Sequence, residues 1–536
     1  MGILPGLPST TSPGVVARPC TSRSKNGPGK RSQPLIIQTR GATLWGLAGV
    51  SVSVEIDAGR GLPSFHIVGQ ADRIIYESMD RIRAAFRRCG IEFPSGRVSV
   101  NLAPGELPKS GSALDLAIAV GIAATQGSVP PEAARQPLLI GELGFDGALR
   151  PVRGTLALVS GGLVSADATE VIVPAASGLE AALCPGVDVH VATDLGGVLA
   201  HLRGEQRLTR QLPGAPASVG PPAIDLRDIL GQETAKRALE IAAAGRHHLI
   251  LMGPPGSGKT LLASRLADLL PDLEPDAALE VARIRSVASA EPCRTIVCRP
   301  PLRAPHHSVS EAGFAGGGRP LRPGELSLAH RGVLFLDELP EFRRGVLESL
   351  RQPLEAGCIH IARAQGAHSL PAAIQLVAAM NPCPCGFADD PTRECRCDPA
   401  SVRRYQAKLS GPLLDRLDLH VSVPMVPRRD RRCASGPTTL EVQQRVAKVH
   451  AGAQCPWTLG DARSSARVQQ ERALWQSLQA ADRSWLELAL ERLGLSLRAA
   501  GRVVSVGRTI AALDGRTTPI REDLAEALSY RRLDRA

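Results

Sequence analysis

Gly253-Pro254-Pro255-Gly256-Ser257-Gly258-Lys259-Thr260 lies between an apolar run, His248 to Met252, and a helix-forming stretch, Leu261 to Leu270. The octet fits G-x-x-x-x-G-K-[ST], and the order of strand, glycine loop and helix is the context that pattern needs. Glycines let backbone N–H groups curl round phosphate oxygens, and a helix N-terminus adds positive potential there. Lys259 is expected to contact the β- and γ-phosphates and Thr260 to ligate Mg²⁺, so ATP and Mg²⁺ are the expected cofactors.

The run Val333 to Leu336 is followed by Asp337, 77 residues after Thr260, and by Glu338. Four apolar residues predict a buried central strand with two carboxylates at its C-terminal end. Asp337 would hold the Mg²⁺ shell and Glu338 would orient or activate the attacking water. A third apolar strand, Ile374 to Met380, ends at Asn381. A polar side chain at that tip could position the same water, although Asn-Pro is also a common turn. In Ser410 to Arg416 an arginine follows a turn and a short helix. Arg416 could reach a neighbouring subunit's γ-phosphate, or pair with Asp415 or Asp418.

Composition bounds the rest. The chain has 536 residues, enough for three or four domains at roughly 150 residues each. With 43% hydrophobic and 21% charged residues it is ordinary globular material. No apolar run approaches the roughly 18 residues of a membrane span; Leu116 to Ala124 reads as a buried helix. No signal-peptide stretch is recognised either, so a cytoplasmic protein without membrane contact is expected. Six of the eleven net positive charges lie in residues 1–40, on Arg18, Arg23, Lys25, Lys30, Arg31 and Arg40. Charge alone therefore argues only weakly for nucleic acid, and 3% aromatic content argues against extensive base stacking. Only seven of the 63 basic residues are lysine, which makes Lys259 stand out.

Residues 1–34 read as a basic disordered tail. A mixed α/β domain is expected over 35–205, with a strand at Val50 to Ile56, an amphipathic helix from Asp72 to Cys89, a strand at Arg97 to Leu102, a helix from Leu114 to Thr125 and a hairpin over Leu138 to Val152. A Pro/Gly/Ala/Ser linker follows at 206–224. The α/β nucleotide core spans 225–426, an exposed loop with Arg428 to Arg432 covers 427–438, and helices fill 439–536.

Arg303 to Ser308, Gly316 to Gly318, Pro323 to Phe342 and Ser410 to Arg416 strongly resemble the magnesium-chelatase-like AAA+ proteins, and within them the YifB/ComM competence type. The resemblance runs over about residues 40 to 535 and implies a P-loop AAA+ α/β core with a C-terminal helical lid. Gly61 to Gly69, Val100 to Pro104 and Gly141 to Arg153 resemble that family's amino-terminal half, which implies a Lon-protease-like, ribosomal-S5-like fold. Pro108 to Ala113 is similar to Lon's nucleophile loop, but Ala113 stands at the serine position and Ser112 is one residue off, so no peptidase is expected. Gly69 to Arg73 departs from the family's usual Gly-Leu-Pro-Asp-Ala. By the resemblance Asn381 is sensor 1, Arg416 the trans-acting finger and Arg498 sensor 2, with Arg508 as rival. The resemblance places His306 and His307 in a family insertion that commonly faces a hexamer's pore; without further spaced ligands they do not read as a metal site.

Cys383-x-Cys385 and Cys395-x-Cys397 are nine residues apart, and four thiolates on two short loops can surround Zn²⁺. Four free thiols are the alternative. Taken together, the resemblance implies an ATP-dependent homo-hexameric motor acting on DNA, a helicase or branch-migration factor in uptake and recombination. A magnesium-chelatase ATPase subunit and a protein-remodelling ATPase are the alternatives.

Overall fold

The computed structural model describes residues 36–164, 169–214, 220, 224–363, 366–388, 393–426, 436–452 and 473–531. The expected basic tail and the Arg428 to Arg432 loop lie outside them. Two sheets organise the described chain. The first has eight strands in the order Thr209–Gln211, Asp188–Ala192, Glu170–Pro174, Leu138–Leu139, Ile37–Trp45, Ala48–Gly59, Arg97–Ala103 and Ser64–Val68. Its register is antiparallel from Ile37–Trp45 through Arg97–Ala103 and parallel from Ile37–Trp45 out to Asp188–Ala192.

Ala48–Gly59 alternates buried and half-buried residues because only one of its faces meets the core. Helix Arg73–Arg88 is capped by Asp72, whose Oδ1 accepts from Ile75 N–H at 3.0 Å, and it buries Ile75, Met79, Ile82 and Phe86. Helix Asp115–Thr125 is buried on nearly every side, which its all-round apolar sequence requires.

The expected hairpin over Leu138 to Val152 is shorter. Only Glu142–Leu143 and Leu149–Arg150 pair, while Leu138 and Leu139 join the large sheet. Both leucines are fully buried, and a hairpin arm facing solvent could not bury them.

The second sheet is wholly parallel, ordered Leu302–Arg303, Val333–Leu336, Gln375–Met380, Leu249–Met252 and Leu419–Ser422. Helices cover its strands, so Val333–Leu336 and Gln375–Met380 are buried at every residue. Gln375 tolerates that burial because its Nε2 donates to the Ala242 and His247 carbonyls at 2.8 and 2.9 Å. Beyond residue 436 the described residues are helical: Thr439–Ala451, Ala480–Leu493, Leu497–Leu513 and Arg521–Ser529. Their Val442, Val503 and Leu524 share one core with Leu249 and Val377 of the sheet. No described helix is long and apolar enough to cross a membrane.

Helix Thr155–Val164 lies so close to Ala48–Gly59 that backbone meets backbone. A Cβ at Gly161 would stand 1.8 Å from the Gly49 carbonyl oxygen. Neither backbone can yield cheaply, so the helix would have to lift off the strand. Gly161→Ala is expected to destabilise the protein by about 1–3 kcal/mol in denaturant titration, as overpacking does. Gly59→Ala, which meets nothing within 4 Å, should stay within about 0.5 kcal/mol of wild type.

Candidate nucleotide site

The parallel register sets the site. Met252 pairs with Met380, and Leu336 with Ala378, so Gly253, Asp337 and Asn381 all emerge at the carboxyl edge of the sheet. Ligands of open α/β sheets bind at that edge. Gly256 and Gly258 hold φ of +75° and +93°, which turns the loop into helix Lys259–Leu269.

Lys259 is 8% exposed and folded into the loop. Its Nζ donates to the Gly253 and Pro254 carbonyls at 2.8 and 2.9 Å and to Asn381 Oδ1 at 3.2 Å. Burial lowers its pKa, opposed by the charges of Asp337 and Glu338. Thr260 Oγ1 donates to Asp337 Oδ2 at 2.7 Å, and Asp337 Oδ1 accepts the Glu338 N–H at 2.9 Å. The Ser257 hydroxyl is buried without a hydrogen-bond partner. An orphaned hydroxyl, a clustered amine and a hydroxyl–carboxylate pair fit a phosphate with its divalent cation.

Glu338 sits at φ +51°, a left-handed conformation uncommon outside glycine. It leaves the side chain half exposed, with Oε2 3.8 Å from His307 Nδ1. Arg416 is not gathered to this group. Its guanidinium bonds Glu355 and the Pro412 carbonyl, rather than either aspartate that sequence offered as partner. Asp418 is instead engaged by Arg502 and by the His248 N–H. Arg498 lies in the first turn of Leu497–Leu513, but its side chain is outside the described residues. Arg508 is further along that helix. Its neighbour Thr509 meets His247, at the entering end of the phosphate-loop strand and away from the loop.

Three contributors carry no local sequence signal. Gln232, at φ +60°, donates to the Ser257 and Pro424 carbonyls at 3.4 and 2.6 Å and ties the loop to the strand beside it. Glu355 holds Arg416 from 61 residues away. Tyr405 takes the Asn381 N–H, while burial and the nearby Glu341 push its pKa to about 12. A positive φ at a non-glycine is the one mark that could have found Gln232, and it is visible only once the backbone is known.

The four clustered cysteines come together: Cys383, Cys385, Cys395 and Cys397 place their sulfurs within 4.8 Å of one another. Glu170, His190 and His201 also converge. There, however, His201 Nδ1 accepts the Leu208 N–H at 3.1 Å, so its Nε2 carries the proton shared with Glu170 and offers no lone pair to a metal. In the first sheet's loop, Lys109 is buried and donates to the Leu102 and Pro104 carbonyls, while Ser112 bonds Glu142. These two side chains are committed to different partners.

Family models match along the chain. "Magnesium chelatase, subunit ChlI" covers residues 225–431, "Subunit ChlI of Mg-chelatase" 54–177 and "Magnesium chelatase, subunit ChlI C-terminal" 436–531. An uncharacterised protein of Mycobacterium tuberculosis is 44% identical over 91% of this chain and 96% of its own length. YifB of Escherichia coli is 40% identical over 93% of this chain and 97% of its own. The competence protein ComM of Haemophilus influenzae is 40% identical over 90% and 95%. Matches of that identity and coverage leave one assignment: the chain belongs to the magnesium-chelatase-like YifB/ComM family of AAA+ proteins.

Proposed function

We propose that this chain is an ATP-driven motor that works on DNA as a homo-hexameric ring, as a helicase or branch-migration factor in DNA uptake and recombination. The observation that carries the ATPase part is the meeting of Lys259, Thr260, Asp337 and Asn381 at one sheet edge. Mg²⁺, when bound by Thr260 and Asp337, would neutralise charge developing on the phosphates. Lys259 would exchange its carbonyl partners for phosphate oxygens, and the Asn381 amide would orient the water. Glu338, half exposed beside His307, would accept that water's proton.

Arg416 belongs to a different surface in this reading. Released from Glu355, it would reach the γ-phosphate of a neighbouring subunit, so that hydrolysis requires assembly and moves one subunit against the next. Arg498 would sense the same phosphate from the helical lid. The first sheet would be a Lon-like body without peptidase chemistry. Support for DNA comes from the competence protein among the relatives and from the basic residues 1–40. The chelatase name of the family models supports the rival reading of a subunit that drives Mg²⁺ into a porphyrin.

The deciding experiment measures ATP hydrolysis with no DNA, single-stranded, duplex and four-way-junction DNA, using Lys259→Ala as blank. Stimulation by DNA that the blank lacks is the expected outcome. A rate indifferent to every DNA at low salt would contradict the motor reading, and stimulation only by a porphyrin-binding partner would replace it with the chelatase. Glu338→Gln should lower kcat by about 10²–10⁴ while leaving ATP affinity near wild type in a fluorescent-nucleotide titration. Equal loss of binding and turnover would place Glu338 in nucleotide binding instead.

A further inference from the structure

We propose that Cys383, Cys385, Cys395 and Cys397 bind one zinc ion as a closed tetrathiolate, and that this ion pins the Asn381 loop against the phosphate loop. The sulfur spacing fits the ion. Tetrahedral Zn–S bonds of about 2.3 Å separate neighbouring sulfurs by about 3.8 Å. Here Cys383 and Cys385 Sγ are 3.3 Å apart, Cys383 and Cys395 3.7 Å, and Cys385 and Cys395 3.6 Å. A disulfide needs about 2.05 Å, so these are four thiols around a common centre rather than two bridges.

Backbone N–H groups also point at the sulfurs. Phe387 and Arg396 donate to Cys385, Cys397 to Cys395, and Cys385 to Cys397. Such donors offset the negative charge that four thiolates place round one divalent ion. With every position filled by sulfur, no site is left for water, and the zinc is structural.

The place of the cluster gives it a task. Cys383 follows Asn381 by two residues, and the Asn381 amide accepts from Lys259. Gly386, next to Cys385, has φ +87°, and a Cβ there would stand 2.4 Å from Pro255 Cδ in the phosphate loop. On the other side, Asp398 follows Cys397 and caps helix Pro399–Gln406, whose Gln406 Nε2 donates to the Pro382 carbonyl at 3.2 Å. Zinc therefore closes a loop that touches the phosphate loop at Pro255 and carries Asn381 at its start. The tether rests on the role given to Asn381 above, whereas the metal site does not.

Metal analysis of the purified full-length chain should find one zinc per chain, and cobalt(II) in its place should show tetrahedral thiolate absorption bands. Cys395→Ser and Cys397→Ser, at the less buried ligands, should carry almost no zinc and hydrolyse ATP about tenfold more slowly, with ATP affinity changed far less. Gly386→Ala keeps all four ligands, so it should retain zinc and still turn over more slowly, which separates the tether from a folding defect. Four freely titrating thiols with neither zinc nor cobalt bands would overturn the site. Full zinc in wild type, with turnover unchanged when it is lost, would overturn the tether. A wild-type chain with one zinc and no ATPase would confirm the site and overturn the tether together with the hydrolytic role of Asn381.

Discussion

Parallel pairing of Leu249–Met252 with Gln375–Met380 is the constraint on which the nucleotide site depends. Strands paired in parallel run in the same direction, so the residues that follow each one leave from the same edge. Gly253 follows Met252, Asn381 follows Met380, and Gly253 N–H reaches back to the Met380 carbonyl at 3.3 Å. A slip of one residue would move Asn381 out of reach of Lys259 and turn the strand's buried side chains to the wrong face. Both faces of Gln375–Met380 are close-packed, so a slip would swap side chains between faces shaped for others, and in this way the apolar core fixes the chemistry at its rim.

The first sheet is joined to this arrangement through helix Pro275–Ala288. Gly154 N–H donates to the Ser286 carbonyl at 3.2 Å, and Leu156 and Leu183 pack with Leu279 and Ala282 of that helix. The buried Glu180 carboxyl, its pKa raised by burial, accepts from the Ser286 hydroxyl and the Leu156 N–H. Glu280 of the same helix contacts His330 at 3.1 Å and Arg331 at 3.0 Å, and these partners hold its carboxyl down to about 2. Those two residues lead directly into Val333–Leu336 and Asp337. A contiguous set of packed and charged contacts thus runs from the first sheet to the strand that carries the acids. Beside it a cavity of about 340 Å³ is lined by Trp45, Gly46, Glu280, Arg283 and His368.

Much of this was legible in the sequence where a residue's place depends on its neighbours in the chain. The Gly253 to Thr260 loop, the apolar strands that end in Asp337 and Asn381, and the helix Asp72 to Cys89 each announce themselves by spacing. The paired Cys-x-Cys segments mark four candidate ligands, but the nine residues between them leave open in sequence where their thiols meet. Contacts made across the fold were not legible. Glu355 lies 61 residues from Arg416, and nothing local marks it as a partner. Leu138 and Leu139 look like a hairpin arm because a two-residue buried strand has the same local pattern, and only its neighbours in the sheet distinguish the two. Gln232 acts through a left-handed backbone that its side-chain type does not suggest.

The central claim is that Lys259, Thr260 and Asp337 form one phosphate-and-cation site. Its most direct test is ATP binding to the full chain, with and without magnesium, in wild type and in Thr260→Ala. The account predicts that magnesium tightens binding about tenfold in wild type, a difference of about 1.4 kcal/mol, and hardly at all in the variant. Equal magnesium dependence in both, or no ATP binding by wild type, would contradict it.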